Sequence, residues 1–192
     1  MKIIGLTGGI GSGKTTVLNY FKQFDIPVYV ADIEAKRIMH ETSEVVSKVK
    51  TLFGRDAYLN GKLNRRYIAN IVFNDKTMLT LLNAIVHPAV YNDFLMFKAN
   101  QKAPYLIYES ALLFENHSEA KFDKVILVIA PMSLRIERIQ KRDQSSVADI
   151  EARIKNQMSD QEKKEKSDYV ILNMDLIETK EEVKRLHQTF SK

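Results

Sequence analysis

Residues 8–15 read Gly-Gly-Ile-Gly-Ser-Gly-Lys-Thr and match the pattern G-x-x-x-x-G-K-[S/T] at every fixed position. The short apolar run Ile3–Thr7 comes directly before this segment and predicts a buried strand, and the residues from Thr16 onwards predict the first turn of a helix. A strand, a glycine-rich loop and a helix in this order are the context in which the pattern binds phosphate groups. The segment therefore predicts a nucleoside triphosphate site beside the end of a strand.

The residue types in the loop account for this chemistry. Glycines let the backbone curl so that its N–H groups converge on phosphate oxygens, and the helix N-terminus adds partial positive charge. Lys14 is expected to reach the β- and γ-phosphates, and the Thr15 hydroxyl is expected to ligate Mg²⁺. The predicted nucleotide-binding residues are Gly8, Gly9, Gly11, Ser12, Gly13, Lys14, Thr15 and Thr16.

Composition excludes several other classes of protein. A chain of 192 residues is long enough for one domain with an inserted subdomain, and the absence of cysteine excludes a disulfide framework. The N-terminus enters a predicted strand without a secretory signal, and the longest apolar run, Val125–Met132, is too short to span a bilayer. We expect a cytoplasmic protein without a membrane partner.

The net charge of +5 favours anionic substrates such as ATP. Nucleic-acid binding requires a concentrated basic stretch with aromatic residues. The densest candidate, residues 161–166, alternates in sign and is typical of a solvated helix face. No nucleic-acid partner is predicted.

Five short apolar runs predict strands, each followed by a helical pattern: Ile3–Thr7, Pro27–Val30, Tyr105–Glu109, Lys124–Ile129 and Tyr169–Leu172. Such alternation predicts an α/β fold of three layers (α/β/α) with a five-stranded parallel sheet. The long stretch between the second and third runs, about Ile33 to Lys102, is almost wholly helical in pattern, with a turn at residues 59–62. His87-Pro88 is expected to close the long apolar helix of that stretch.

Two acidic residues end predicted strands, where ligands of open parallel sheets gather. Asp32 follows the second strand and can accept a hydroxyl proton, or it can serve as the N-cap of a helix beginning at Ile33. Glu109 ends the third strand and can hold Mg²⁺ through water, or it can cap a strand-to-helix turn. For both residues the sequence alone leaves the alternatives open.

Arg135, Arg138 and Arg142 share a predicted helix face after the fourth strand. Cationic groups around a transferred phosphate stabilise its transition state, whereas an exposed basic face is the common structural alternative. Ser146 to Asp149 predicts a further helix start, and that helix is expected to carry Arg153 and Gln157. The four histidines show no metal-ligand spacing.

Among nucleotide-binding classes, a small-molecule P-loop kinase fits best. The Asp-x-x-Gly and Asn-Lys-x-Asp patterns of a P-loop GTPase do not occur in the chain. The glycines do not form the G-x-G-x-x-G of a dinucleotide-binding oxidoreductase. A nucleic-acid-dependent ATPase would need the missing basic stripe.

An ordered set of further segments resembles the dephospho-CoA kinase family from Met1 to about Asn173. Its members are Gly5–Lys14, Val30–Asp32, Asn60–Arg65, His87-Pro88, Leu112–Glu115, Arg138 with Arg142-Asp143, and Arg153 with Gln157. The resemblance implies transfer of the ATP γ-phosphoryl group to the ribose 3′-hydroxyl of dephospho-CoA, the last step of coenzyme A synthesis, with Mg²⁺ as cofactor. The alternative is a P-loop kinase acting on a nucleoside monophosphate or another small hydroxyl acceptor.

The resemblance also implies three parts within a single kinase domain: a nucleotide core (about 1–32, 103–134 and 167–192), a helical CoA-binding insertion (about 33–102) and a lid (about 135–166). The implied partners are ATP and dephospho-CoA, and the chain is expected to be a monomer or a weak homo-oligomer.

The family's functional residues map onto this chain individually. Asp32 matches the catalytic acid, and Lys14, Arg138 and Arg142 complete the expected catalytic set. Arg65, His87 and Leu112 fall in acceptor-binding motifs with Asp32, and Thr15 and Glu109 are the expected metal ligands. Three positions depart from the family pattern: Val30 replaces the first Asp of an Asp-Ala-Asp, Ala111 replaces a common Pro, and Thr15 replaces a common Ser.

Overall fold

A parallel sheet of five strands organises the first of two compact units, which consists of residues 1–30 and 101–192. The computed structural model describes all residues of the chain, 1–192. The strands in chain order are β1 (Lys2–Thr7), β2 (Val28–Val30), β3 (Tyr58–Leu59), β4 (Lys62–Leu63), β5 (Tyr105–Glu109), β6 (Lys124–Ile129) and β7 (Tyr169–Leu172). The sheet order is β2-β5-β1-β6-β7, with all neighbours parallel. All five predicted core strands are confirmed.

Nine α-helices complete the two units. They are α1 (Lys14–Lys22), α2 (Ala31–Glu41), α3 (Ser43–Phe53), α4 (Arg65–Asn74), α5 (Lys76–Ala99), α6 (Met132–Asp143), α7 (Val147–Lys155), α8 (Asp160–Glu165) and α9 (Leu176–Phe190). Helices flank the parallel sheet, so the predicted fold class is confirmed.

The main core lies between one face of the sheet and the pair α1 and α9. Alternate residues of β1, Ile4 and Leu6, are completely buried there against Phe21 of α1 and Leu186 of α9. Central strands of a parallel sheet are covered on both faces, which explains the nearly continuous apolar run of β6. This burial sets the carboxyl ends of β1 and β5 side by side, with Leu6 opposite Glu109.

The segment after β5 is not helical as predicted. Residues 111–117 form turns, and only a short 3₁₀ helix, Glu119–Lys121, precedes β6. Leu113 and Phe114 are completely buried, and His117 has a φ of 48°, which stops any further helical turn. The apolar residues of this segment are consecutive because they fill a core, and they do not follow a helical period.

The second compact unit comprises residues 31–100 and contains α2 to α5. Its prediction as almost wholly helical overlooked a small antiparallel hairpin, in which β3 pairs with β4. Asn60 and Gly61 join these strands with φ values of 49° and 76°. Two consecutive positive φ values are what a tight hairpin turn needs, and Asn-Gly supplies them at low cost.

The predicted helix end at His87-Pro88 is wrong. Helix α5 begins after Asp75, whose side chain accepts from the N–H groups of Thr77 and Met78, and it continues through Pro88 to Ala99. Val86, Val90 and Phe94 are buried at a spacing of four residues on either side of the proline. Their packing keeps the helix intact where Pro88 supplies no N–H donor.

The alternating segment 161–166 is also not a fully solvated face. It lies in α8, where Lys163 is completely buried and its Nζ is 2.9 Å from Glu115 Oε1. A charge buried with an opposite charge is tolerated where an unpaired one is not, so the motif residue Glu115 explains the exception. No helix of the chain combines the length and the apolar character that crossing a membrane requires.

Candidate active site

The loop of residues 8–15 leaves the carboxyl end of β1 and passes directly into α1. Gly13 precedes the helix with a φ of 92° and a ψ of 31°, a left-handed conformation that favours glycine. A Cβ atom at Gly13 would also collide with the side-chain amide of Asn173. At Gly9 a Cβ atom would collide with the guanidinium of Arg135. Glycine is therefore required at position 13, and Gly9 leaves the space that the Arg135 guanidinium occupies.

Every carbonyl group from Gly8 to Gly13 accepts a hydrogen bond from the protein. The donors are Lys14 Nζ to Gly8, the Ser12 N–H to Gly9, Arg135 Nε to Ile10, Arg138 Nη1 to Gly11 and Ser12, Asn173 Nδ2 to Ser12, and the Thr16 N–H to Gly13. A carbonyl that points at a protein donor does not point at a bound phosphate. The loop is thus arranged to present its N–H side to an anion.

Lys14 sits between the loop and the buried end of β5. Its Nζ lies 2.9 Å from the Gly8 carbonyl oxygen and 3.7 Å from Glu109 Oε1. Glu109 is only 5% exposed and stands opposite both Leu6 and Val30 in the sheet. The structure thereby brings the predicted phosphate-binding lysine and the predicted metal-binding carboxylate together.

The donor set at this point suits Mg²⁺. Thr15 is exposed at the start of α1, and Ser12 Oγ is buried without a hydrogen-bond partner. No cluster of three acidic, histidine or cysteine side chains builds a complete metal cage. Mg²⁺ typically takes one or two protein oxygen ligands and completes its shell with water and substrate phosphates. The Thr15 hydroxyl and the Glu109 carboxylate meet that requirement.

Asn173 belongs to the site, although the sequence motifs did not predict a role for it. It directly follows β7, is completely buried, and its Nδ2 donates to the Ser12 carbonyl at 2.9 Å. Its own Oδ1 accepts from Thr179 Oγ1 at 3.2 Å, which fixes the orientation of the amide. The available signal was its position at the carboxyl end of a predicted strand.

The three arginines of α6 have different surroundings. Arg135 is 4% exposed and bonds to the Ile10 carbonyl and to Asp160. Arg138 is half-buried and donates to the loop carbonyls and to the Asn173 carbonyl. Arg142 is exposed at the end of the helix and pairs with Asp143. The three positions lie in one helix at a spacing that places them on one face, as predicted, and their exposure increases towards the end of the helix.

Asp143 lies between two guanidinium groups. Arg142 donates through Nε and Nη2 at 2.6 and 2.9 Å, and Arg153 donates through Nη1 at 3.1 Å. The hydrogen bond from Arg142, followed by that from Arg153, holds the pKa of the Asp143 carboxyl well below its usual range. Arg142, Asp143 and Arg153, which all belong to the family-like motifs, thus form one charged cluster within residues 135–166.

Helix α7 begins as predicted, with Ser146 accepting from the Asp149 N–H at 3.2 Å. The helix ends at Lys155, so Gln157 lies beyond it and not on the same helix as Arg153. The Gln157 side chain accepts from the Ile10 N–H at 2.9 Å. This contact joins residues 135–166 to the phosphate-binding loop.

The remaining predicted residues of the acceptor side belong largely to the second unit. Asp32 is exposed and is the second residue of α2, so its predicted role as an N-cap before Ile33 is wrong. Arg65 is the exposed first residue of α4, and His87 is exposed in the middle of α5. Leu112 belongs to the first unit and is 43% exposed in the turns after β5.

A surface concavity of about 590 Å³ lies beside α4 in the second unit. Its lining includes Asn64, Arg66, Tyr67 and the strongly exposed Phe73. Asp32, Arg65 and His87 do not line it, so the predicted acceptor residues and this concavity do not coincide.

Comparison with known proteins places the chain in a family. The model of the dephospho-CoA kinase family matches residues 2–178. The chain belongs to the dephospho-CoA kinase family. A dephospho-CoA kinase from Salinibacter ruber is 39% identical over 177 residues, which cover 90% of this chain and 89% of that protein.

Two solved structures extend this similarity to three dimensions. A Thermus thermophilus protein superposes with a TM-score of 0.90 at 34% identity, covering 98% of this chain and 96% of that one. Dephospho-CoA kinase from Campylobacter jejuni superposes with a TM-score of 0.69 at 26% identity, with the same coverage of 98% and 96%. The suspected family resemblance is thereby confirmed.

One residue at the end of β2 departs from the sequence pattern of the family. Val30, which replaces the first Asp of Asp-Ala-Asp, is half-buried at the end of β2 and pairs with Glu109 in the sheet. A valine supplies no oxygen ligand at this position. The carboxylate opposite this valine in the sheet is Glu109, at the end of β5.

Proposed function

We propose that this chain transfers the γ-phosphoryl group of ATP to the ribose 3′-hydroxyl of dephospho-CoA and so completes coenzyme A synthesis. The observation that carries the proposal is the family match over residues 2–178, joined to a phosphate-binding loop whose carbonyls are all held by protein donors. Kinases of the P-loop class act through positioning and electrostatic stabilisation, which such a loop provides.

The nucleotide binds on the loop. The N–H groups of Gly8, Gly9, Gly11 and Gly13, with the residues Ser12, Lys14, Thr15 and Thr16, surround the phosphates. The Lys14 ammonium leaves the Gly8 carbonyl and contacts the β- and γ-phosphate oxygens. Thr15 and Glu109 hold Mg²⁺, which neutralises charge on the phosphates when bound.

Asp32 is the residue proposed to activate the acceptor hydroxyl. Asp32 accepts or orients the proton of the 3′-hydroxyl as the oxygen attacks the γ-phosphorus. Its exposed position at the start of α2 leaves the carboxylate accessible to a substrate. Arg65, His87 and Leu112 bind other parts of the acceptor, with Arg65 offering a guanidinium to its phosphates.

The segment of residues 135–166 serves as a lid. Arg138, which is already beside the loop, and Arg142, at the end of the same helix, stabilise charge on the transferred phosphoryl group. We propose the same core, insertion and lid as the sequence predicts. We further propose a cytoplasmic location and a monomer or weak homo-oligomer.

A measurement of ADP release with Mg²⁺-ATP and a panel of acceptors tests the function. The panel holds dephospho-CoA, AMP, CMP, shikimate and adenosine, and the product is confirmed by mass and by the position of the phosphate. We expect turnover with dephospho-CoA alone. Turnover of a nucleoside monophosphate instead would overturn the acceptor assignment and leave the nucleotide site intact.

Two variants locate the activity in the proposed site. Lys14→Ala is expected to lower the rate of phosphoryl transfer at least about 10²-fold, because the ammonium contacts the transferred phosphate. Lys22→Ala, which removes a lysine from the exposed end of the same helix, is the matched control and should retain the wild-type rate.

A further inference from the structure

Two side chains hold the backbone on both sides of Ile10 in the phosphate-binding loop. Arg135 Nε donates to the Ile10 carbonyl at 2.9 Å, and the Ile10 N–H donates to Gln157 Oε1 at 2.9 Å. Both polar backbone groups of this residue therefore have a partner from residues 135–166. The peptide units before and after Ile10 are fixed in orientation as a result.

The guanidinium of Arg135 is enclosed by the loop that it supports. The residue is 4% exposed, and its Nη2 occupies the space that a Cβ atom at Gly9 would need. Its Nη1 donates to Asp160 Oδ2 at 3.1 Å. Its burial and its contacts to Ile10 and Asp160 arrange Arg135 to support the loop. Burial separates it from the half-buried Arg138 and the exposed Arg142.

Asp160 supplies the charge that makes the burial of Arg135 tolerable. A buried guanidinium without a counter-ion carries a large desolvation cost, and a close carboxylate offsets it. Asp160 is the first residue of α8, and its side chain is 33% exposed. The position of α8 is therefore linked through one ion pair to the position of the Ile10 carbonyl.

We propose that Arg135 is a positioning residue for ATP binding. It holds the Ile10 carbonyl turned away from the phosphates and, through Asp160, couples the shape of the loop to the segment around α8. The proposal rests on the proposed function in one respect, namely that the loop binds ATP. Helix α6 then has two roles: Arg135 holds the shape of the loop, and Arg138 and Arg142 act on the transferred phosphoryl group.

Calorimetric titration with Mg²⁺-ATP tests the proposal independently of the acceptor. Arg135→Met is expected to weaken ATP binding by about tenfold, the effect of losing one hydrogen bond to a charged group. Lys141→Met, which removes an exposed cation from the same helix, is the matched control and should change the Kd less than twofold. Steady-state kinetics should show a raised KM for ATP and an unchanged KM for dephospho-CoA.

A double-mutant cycle separates positioning from a general loss of stability. Asp160→Asn should weaken ATP binding about threefold in the wild-type background and have no effect in the Arg135→Met background, because the two residues act through one contact. Arg135→Lys retains one cationic donor and should restore part of the affinity.

Circular dichroism establishes which variants are folded. A folded Arg135→Met protein with unchanged Kd, or equal effects of Asp160→Asn in both backgrounds, would overturn the proposal. If Arg135→Met does not fold, Arg135→Lys and Asp160→Asn decide: weaker ATP binding supports the proposal and wild-type binding overturns it. Failure of the wild type to phosphorylate dephospho-CoA would refute the function without altering the calorimetric result.

Discussion

Lys14 has partners that a bound nucleotide must replace. Its ammonium is held at 2.9 Å by the Gly8 carbonyl and at 3.7 Å by Glu109, with 14% of the side chain exposed. Phosphate oxygens carry more negative charge than a carbonyl, so a nucleotide competes well for this cation. The Glu109 carboxylate then has the charge and the position to face a metal ion.

Asp32→Asn tests the proposed proton acceptor. We expect kcat for dephospho-CoA to fall about 10²-fold or more, because an amide cannot accept the hydroxyl proton in the transition state. Product formation at saturating substrates measures the effect. Glu44→Gln changes another exposed carboxylate near the start of a helix in the same unit and should keep wild-type kcat. Full activity in folded Asp32→Asn would contradict the catalytic role and leave this carboxylate only a structural role in the first turn of α2.

Asp143 predicts a pH dependence of stability. Its folded-state pKa is depressed by Arg142 and Arg153, so its contribution is present above the pKa of the unfolded chain and is lost as the pH falls through the folded value. Asp143→Asn should therefore be less stable than the wild type at pH 7, and the difference should shrink on acidification below about pH 4. Urea unfolding at several pH values measures it. A difference that persists unchanged into strong acid would contradict the assignment to this carboxylate.

At the scale of elements, α8 is held to the core by a buried charge. Lys163 Nζ contacts Glu115 Oε1, and the Met158 N–H donates to the same oxygen at 3.0 Å. Since Lys163 is completely buried, the helix cannot leave its position without breaking this ion pair. The turn segment after β5 thus anchors α8.

Glu115→Gln is expected to lower the free energy of unfolding by about 3 kcal/mol, because it leaves a buried ammonium without a counter-ion. Combining Glu115→Leu with Lys163→Met should recover much of the loss, since apolar side chains of similar size need no partner. Urea denaturation measures the free energy of unfolding of the wild type, of Glu115→Gln and of the double variant. Glu137→Gln breaks an exposed pair and serves as the control with nearly unchanged stability. A stable Glu115→Gln protein would mean that Lys163 finds another acceptor.

The same elements explain which parts of the fold could be predicted. Strands buried on both faces need continuous apolar runs, so β1, β5 and β6 were visible in the sequence. The course of α5 through Pro88 and the burial of Lys163 depend on distant residues that pack against them, and a local pattern contains no information about those partners.

The candidate site also has a part that the sequence predicts and a part that it does not. The loop from Gly8 to Thr15 was predictable because its chemistry is local to eight consecutive positions. The side chains that support it from outside, Asn173 and Arg135, come from β7 and α6. Only the folded chain brings them to the loop.

At the scale of the whole molecule, the chain assigns the nucleotide loop to one compact unit and the proposed proton acceptor to the other. Phosphoryl transfer requires both substrates to be enclosed away from water before reaction. The exposed end of α6, around Lys141 and Arg142, is one part of the proposed lid where trypsin can cleave.

We expect ATP analogue and dephospho-CoA together to slow tryptic cleavage after Lys141 and Arg142 several-fold, because lid closure over both substrates would bury this segment. Cleavage products are followed by mass spectrometry. Cleavage after Lys184 and Arg185, exposed on α9, provides the internal control and should keep its rate. Equal rates at both sites with and without the ligands would contradict closure by residues 135–166.

The held carbonyls of the phosphate-binding loop have a kinetic consequence. With Gly8 to Gly13 all bonded to protein donors, the loop has little left to rearrange when a nucleotide arrives. Within the loop, the Lys14 side chain must turn from Gly8, and rotamer changes of exposed side chains take picoseconds to nanoseconds. The loop itself then adds no slow step, and we expect the rate constant for nucleotide association to be governed by diffusion and by any opening of the proposed lid.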